Sequence, residues 1–274
     1  MSLARALRLV GKGPERDALQ TGEVDAVIDN ANGNVLLLPE AKRALSAAGG
    51  EPANGLLAAL PGRDYLRLLG EFDLVPLALG QVLYQPGERI RHVYFPNDAV
   101  VSLLVVLELK ALEVGLVGRE GMVGVPLALG AERASVRAMV QGAGTALRMK
   151  AAGFREEFER CIPLQRELLR YAHAELVQAR QTAGCSRFHQ VEERLAYWLL
   201  MAHDRMRASG GLQITHELLA DMLGVRRVGV TNAAGNLQRR GLIKYHRGEI
   251  RVLDRRGLEA AACSCYRAVK TLAG

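Results

Sequence analysis

The sequence predicts an α+β protein, with a β-rich unit followed by a long helix and a helical, basic C-terminal domain. Three observations carry this expectation. Short β-rich runs recur through residues 72–150, separated by glycine and proline. A narrow apolar seam at helical spacing follows them. From Ile214 the chain then reads as helix, glycine, helix and basic hairpin.

The totals set the bounds. A chain of 274 residues has room for two domains of ordinary size, and an apolar content of 49% can supply a real core. No stretch reaches the roughly 18 apolar residues a membrane helix needs. The longest candidate, AVVSLLVVL at 99–107, is strand-sized. The N-terminal MSLARALRLVGKGPERD has too short an apolar segment for a secretory signal, so a soluble, cytoplasmic protein is expected. Cys161, Cys185, Cys263 and Cys265 are too few and too scattered for a disulfide framework, and no C-x-x-C zinc spacing occurs. The net charge of +7 is uneven. Residues 186–274 hold 15 Lys and Arg against 8 Asp and Glu, whereas residues 1–185 hold 21 of each. A basic domain beside a neutral one points to a polyanionic partner.

Taken in order, residues 1–60 form an N-terminal extension without an assignable role. VDAVID and NVLLLP flank NANG, a tight-turn signal between two short strands, and AAGGEPANG at 47–55 reads as a linker. The β unit contains QVLYQ, HVYFP, VVSLLVVL, LEVGLVG, SVRAMVQ and TALRM, a spacing that suits a sandwich or barrel. Residues 154–183 turn helical, and Leu169, Ala172, Leu176, Ala179 and Ala183 step by three and four. Such a seam fits either a two-stranded dimer interface or packing on its own domain. Its narrowness favours the dimer. A second helix spans 188–207, with Val191, Leu195, Trp198, Leu199 and Ala202 on one face, and SGG at 209–211 ends it.

The stretch ITHELLADMLGVRRVGVTNAAGNLQRRGLI carries the most specific signal. Thr215 is a good N-cap, and Gly224 permits a sharp reversal between two helices. Ala220 lets the helices cross closely, and Val230 fills the crossing, which is the packing a helix-turn-helix requires. The second helix, about 226–239, shows Arg227, Val228, Thr231 and Asn232 on its outer face. In a major groove these are candidates to read bases, Arg227 by donating two hydrogen bonds to guanine. Thr215, Arg226, Arg239 and Arg240 suit phosphates. Lys244, His246, Arg247 and Arg251 would line a wing formed by IKYH and EIRVL around Arg247 and Gly248.

In this order of parts the chain resembles the Crp/Fnr family of bacterial transcription regulators over about residues 70–265. PGERIRHVYFPNDAVVSLL and GREGMVGVPLALGAERASVRA carry the resemblance in the β unit, and the helix-turn-helix carries it in the C-terminal part. The resemblance implies an α+β architecture in which an antiparallel, cyclic-nucleotide-binding-like β-roll (61–160) is joined by a dimerisation helix (161–186) to a winged helix-turn-helix (187–274). It implies a homodimer on a near-palindromic double-stranded DNA operator, with RNA polymerase as a further partner. Nucleotide-binding members carry a Gly-Glu pair and, downstream, an Arg followed by a small hydroxylated residue. Here the matching stretch reads Gly124-Val125-Pro126, with Arg133 and Ser135 at shortened spacing. Valine cannot accept a ribose hydrogen bond, and Glu120 could stand in only after a loop shift. Glu120, Gly124, Arg133 and Ser135 are therefore the candidate effector pocket, and a response to cyclic AMP is not expected. Many members place Arg-x-Thr-Val-x-Arg at the start of the recognition helix, where this chain has Arg227-Val228-Gly229-Val230-Thr231-Asn232. The docking mode should persist and the DNA sequence read should differ.

Other classes find little support. No nucleophile elbow, metal-binding histidine pair or phosphate loop occurs, so no enzyme is expected. Cys263 and Cys265 are the only adjacent thiols, and two thiolates cannot hold an iron–sulfur cluster alone. They read as small buried residues on a terminal helix. His92, His173 and His189 read as isolated polar or capping residues, and no metal or cofactor is expected. The alternative to a DNA-binding regulator is a sensory module that acts through protein partners and carries a degenerate winged helix.

Overall fold

A computed structural model describes residues 26–29, 34–37, 52–108, 110–206 and 211–272. Strands β1 (Ala26–Asp29) and β2 (Asn34–Leu37) form the hairpin expected around NANG, and β2 continues the sheet by pairing with β3 (Asp73–Leu77). The remaining strands are β4 (Val82–Tyr84), β5 (His92–Pro96), β6 (Val100–Leu107), β7 (Lys110–Val117), β8 (Arg137–Gly142) and β9 (Gly144–Lys150). They build two antiparallel sheets, ordered β1-β2-β3-β9-β5 and β4-β8-β6-β7. The pairing of β3 with β9 and of β4 with β8 ties the start of the unit to its end, giving the roll. Strand β3 was not among the runs singled out in the sequence, because Pro76 interrupts its pattern.

The interior of the roll is apolar. Phe72 and Phe95 meet edge to face with ring centroids 5.3 Å apart. The continuous apolar run of β6 has a physical cause, since both of its faces are covered. Val101 and Leu103 point into the roll, whereas Val100 and Leu104 join the core of the C-terminal domain.

The segment 47–55 is only partly a linker. Residues 47–51 lie outside the described residues, but Asn54 is fully buried. Its Nδ2 donates to the carbonyls of Pro96 and Gly121, each at 2.9 Å, and its Oδ1 accepts from the Leu57 amide. That last bond caps the short helix α1 (Gly55–Ala58), which precedes α2 (Gly62–Leu69). An asparagine in a Gly/Pro/Ala-rich string looks like loop chemistry, yet here it pins the chain to the roll.

After β9 come α3 (Ala151–Arg160) and the long α4 (Ile162–Phe188), which starts with a proline in its first turn. Helix α4 buries Leu164, Leu168, Gln178 and Cys185 against the rest of the chain. The Tyr171 ring lies so close to Gly121 that any Cβ at that position would collide with it. Helix α4 stops at His189, where the backbone becomes extended, and Gln190 opens α5 (Val191–Arg205) with a reciprocal capping box to Glu193.

Helix α5 is the core element of the C-terminal domain and buries Leu195 through Ala202 without interruption. Around it lie β10 (Leu212–Gln213), α6 (His216–Leu223), α7 (Arg227–Arg239), β11 (Ile243–His246), β12 (Glu249–Val252), α8 (Arg255–Ala261) and α9 (Cys265–Leu272). The three strands form a sheet ordered β10-β12-β11. Contacts between the two domains are polar as well as apolar. Trp198 Nε1 donates to Glu113 Oε1 of β7 at 2.8 Å, and Arg205 pairs with Glu120 at 2.7 Å; within the roll, Ser102 Oγ of β6 donates to the other Glu113 oxygen at 2.6 Å. Among the described residues no helix is long and apolar enough to cross a membrane.

Candidate nucleic-acid interface

The turn between α6 and α7 forms as its residues require. The Thr215 hydroxyl accepts from the Leu218 amide at 3.2 Å and caps α6. Gly224 ends it with φ +62° and ψ +38°, the left-handed conformation a glycine tolerates. The Val225 amide reaches back to the Ala220 carbonyl at 2.9 Å and closes the turn. Ala220 and Val230 are buried at the crossing of the two helices, as the packing argument requires.

Helix α7 then presents its N-terminal turn to solvent. Arg227, Thr231 and Asn232 are exposed, and Val228 keeps 62% of its surface in water. Arg227 is held loosely by Glu217, 3.5 Å away. Thr231 Oγ1 donates to the Arg227 carbonyl at 3.1 Å and lies 3.1 Å from His216 Nδ1. His216 in turn stacks on Tyr245 of the wing, with centroids 4.1 Å apart. Burial, and then the Arg227 charge, lower the His216 pKa. The ring therefore joins α6, α7 and β11 as a neutral wedge, a role the sequence did not disclose. Gly229 and Gly235 sit within a continuous helix that runs to Arg239.

The residues suggested for phosphate contact are spread around this face. Arg226, Arg239, Arg240, Lys244, His246 and Arg247 are all exposed. Arg240 is tied to Glu192 Oε1 at 2.9 Å, and Glu192 Oε2 also accepts from Asn236 Nδ2 at 2.8 Å, so an α5 carboxylate fixes the C-terminal half of α7. The wing turns at Arg247 (φ +47°) and Gly248 (φ +82°), and two successive positive φ values at the tip match the right-handed twist of a hairpin. Lys244, His246 and Arg251 line a shallow groove on the wing together with Glu249.

The candidate effector residues do not converge. A half-open cavity of about 680 Å³ lies along α4, lined by Glu120, Tyr171, Glu175, Gln178 and Arg205 among others. Glu120 is the only one of the four proposed residues that reaches it. Gly124 adopts φ +112° beside Val93, Arg133 donates to the Gly87 carbonyl at 2.7 Å, and Ser135 is exposed. Glu175 is held up to about 7 by burial at this cavity.

The proposed seam residues divide along α4. Leu169 and Leu176 remain 52% and 46% exposed, whereas Ala172 packs against the core of the roll. Ala179 is half-buried and Ala183 is exposed.

His189, read from the sequence as isolated, is not isolated in the fold. The cysteines are scattered along the chain, but the fold gathers three of them. Cys185, His189, Cys263 and Cys265 place their sulfur and nitrogen atoms within 4.8 Å of one another. Cys185 and His189 are one turn apart at the end of α4, a C-x-x-x-H spacing that could have been read as a pair facing one side of a helix. What the sequence could not show is that the α8–α9 connection folds back onto that turn.

The fold thus defines a class of protein, in which a β-roll is joined by a long helix to a winged helix-turn-helix. Residues 193–261 match the family model described as the Crp-like helix-turn-helix domain. Solved structures share the fold over about 70% of the chain. FixK2 from Bradyrhizobium japonicum superposes with a TM-score of 0.60 at 16% identity, covering 70% of this chain and 98% of that one. The c-di-GMP-responsive global regulator CLP of Xanthomonas campestris gives 0.55 at 14% identity, covering 70% and 99%. A Crp/Fnr-family transcriptional regulator of Thermus thermophilus gives 0.55 at 25% identity, covering 69% and 97%. The chain has the fold of the Crp/Fnr regulators, with a cyclic-nucleotide-binding-like roll. Comparison with curated proteins by sequence finds no match.

Proposed function

We propose that the protein is a dimeric, sequence-specific DNA-binding transcription regulator without enzymatic activity. The observation that carries this reading is the outward N-terminal turn of α7, with Arg227 and Val228 exposed on a helix whose opposite side is buried. A helix so presented fits the major groove, and the basic residues of the α7 C-terminus and the wing can reach the flanking phosphates. Two copies would pair along α4, where Leu169 and Leu176 are exposed at heptad spacing, and each would place one α7 in a half-site. The half-sites would lie about 34 Å apart, one turn of duplex, on a near-palindrome. RNA polymerase is the further partner.

The roll serves as the regulatory domain, and cyclic AMP is not its effector. Val125 stands where a ribose-binding carboxylate would be needed, and Arg133 is committed to a backbone carbonyl outside the α4 cavity. The test is selection of genomic fragments by the purified protein, followed by binding to the recovered site across a salt series. Affinity should fall steeply as salt rises, since phosphate contacts release counterions. Recovery of no enriched fragment, with duplex binding that barely responds to salt, would instead support action through protein partners.

A further inference from the structure

We propose that Cys185, His189, Cys263 and Cys265 form a structural zinc site that fixes the junction between the long helix and the DNA-binding domain. The four candidate ligand atoms lie within 4.8 Å of one another, and the three cysteines are buried. Cys185 Sγ is 3.5 Å from Cys263 Sγ, and Cys265 Sγ is 3.3 Å from His189 Nδ1. Four donors around a tetrahedral ion with Zn–S bonds of about 2.3 Å stand about 3.8 Å apart, so the Cys185–Cys263 and Cys265–His189 pairs are already within about half an ångström of that edge, and the widest pair, at no more than 4.8 Å, needs to close by about an ångström at most. Three sulfurs and one imidazole are the donor set of closed structural zinc sites, with no position left for water or substrate.

The surroundings fit a thiolate shell. Gln181 Nε2 donates to Cys265 Sγ at 3.1 Å, an outer hydrogen bond of the kind that orients a metal-bound sulfur. Three thiolates and one Zn²⁺ leave a net charge of −1, and the buried Arg194 guanidinium lies close enough to interact with Cys185 and Cys263. Binding releases three thiol protons to solvent and changes no oxidation state. A disulfide between Cys185 and Cys263 would use only half of the cluster and leave Cys265 and His189 without a purpose.

The position gives the site its consequence. Cys185 and His189 end α4, Cys263 follows α8, and Cys265 begins α9. The ion would clamp the end of the domain-connecting helix to the last two helices, across the extended residues 189–190 where α4 hands over to α5. Loss of the ion would loosen the setting of α7 relative to α4.

The full-length protein, purified under reducing conditions, should carry one equivalent of zinc per chain by elemental analysis. Chelation followed by Co²⁺ should give the visible and thiolate charge-transfer bands of a tetrahedral sulfur-rich site, saturating at one equivalent. Cys263→Ser, Cys265→Ser and His189→Asn should each lower metal affinity by tenfold or more, whereas Cys161→Ser, at the junction of α3 and α4, should not. If a cluster variant fails to fold, the Co²⁺ titration of the native sequence still decides the matter. Substoichiometric zinc together with a Co²⁺ spectrum lacking sulfur bands would overturn the proposal, as would a Cys185–Cys263 disulfide in protein isolated without air. None of these readouts depends on DNA binding, so they stand or fall apart from the regulator reading.

Discussion

Gly224 carries two demands at once. Its φ of +62° disfavours any side chain, and a Cβ there would stand 3.1 Å from Leu112 of β7. Gly224→Ala should cost about 1–2 kcal/mol from the left-handed backbone alone, read as a lower urea midpoint. Three residues on, Arg227 has no such structural duty, being exposed and only loosely paired with Glu217. Arg227→Ala should therefore leave stability unchanged and cost about 1–3 kcal/mol of discrimination at a single base pair. Arg240→Ala should instead weaken binding to all sequences alike, because its predicted target is phosphate. Equal weakening of every sequence by the Arg227 variant, measured across a panel of single-base operator changes, would remove the base-reading role from that side chain.

Between elements, the contact of β6 and β7 with α5 carries a pH dependence. Burial raises the Glu113 carboxyl from an ordinary 4.5 to about 7, against the lowering effect of its bonds from Ser102 and Trp198 and of the Arg205 charge. Between those two values the folded protein holds a proton that the unfolded chain has released. Stability should therefore fall as pH rises through this range and level off above about 7, by an amount on the order of a few kcal/mol. Glu175 adds a slope of the same sign. Glu113→Gln keeps a neutral carbonyl acceptor for Trp198, with its amide NH2 donating to the Ser102 hydroxyl oxygen, and should flatten much of the pH dependence of the urea midpoint. A slope as steep as that of the parent would show that Glu113 does not hold the proton. On α4, Leu169→Glu with Leu176→Glu should convert a dimer to monomer by sedimentation, without loss of helicity.

These elements also show what the sequence could disclose. Helix starts and stops were readable wherever a single local device set them, such as the Thr215 cap, the Gly224 turn and the Arg247–Gly248 hairpin tip. The β runs were readable through their apolar pattern, and the double-sided burial of β6 appeared only as an unbroken apolar stretch. Features set by distant partners were not readable. Asn54 draws its partners from residues 96 and 121, Glu113 from residue 198, and the cysteine cluster from two segments more than 70 residues apart. Local spacing carries no record of such meetings.

At the scale of the whole molecule, roll and C-terminal domain share an apolar core through Val100 and Leu104, and their further contacts include Leu112 beside Gly224, Glu113 on Trp198, and Glu120 with Arg205. An effector that tilts the C-terminal domain has to break them, so it must bind the opened arrangement better by at least the free energy they contribute. One of the three offers a direct view of that event. Trp198 is the only tryptophan in the chain, and it is buried with its indole N–H on a β-roll carboxylate. Its fluorescence therefore comes from a single known place, the seam between the two domains. Parting of the domains would wet the indole and shift its emission to longer wavelength, so a plain emission scan can reveal whether a small molecule, a metal or an operator duplex opens the protein.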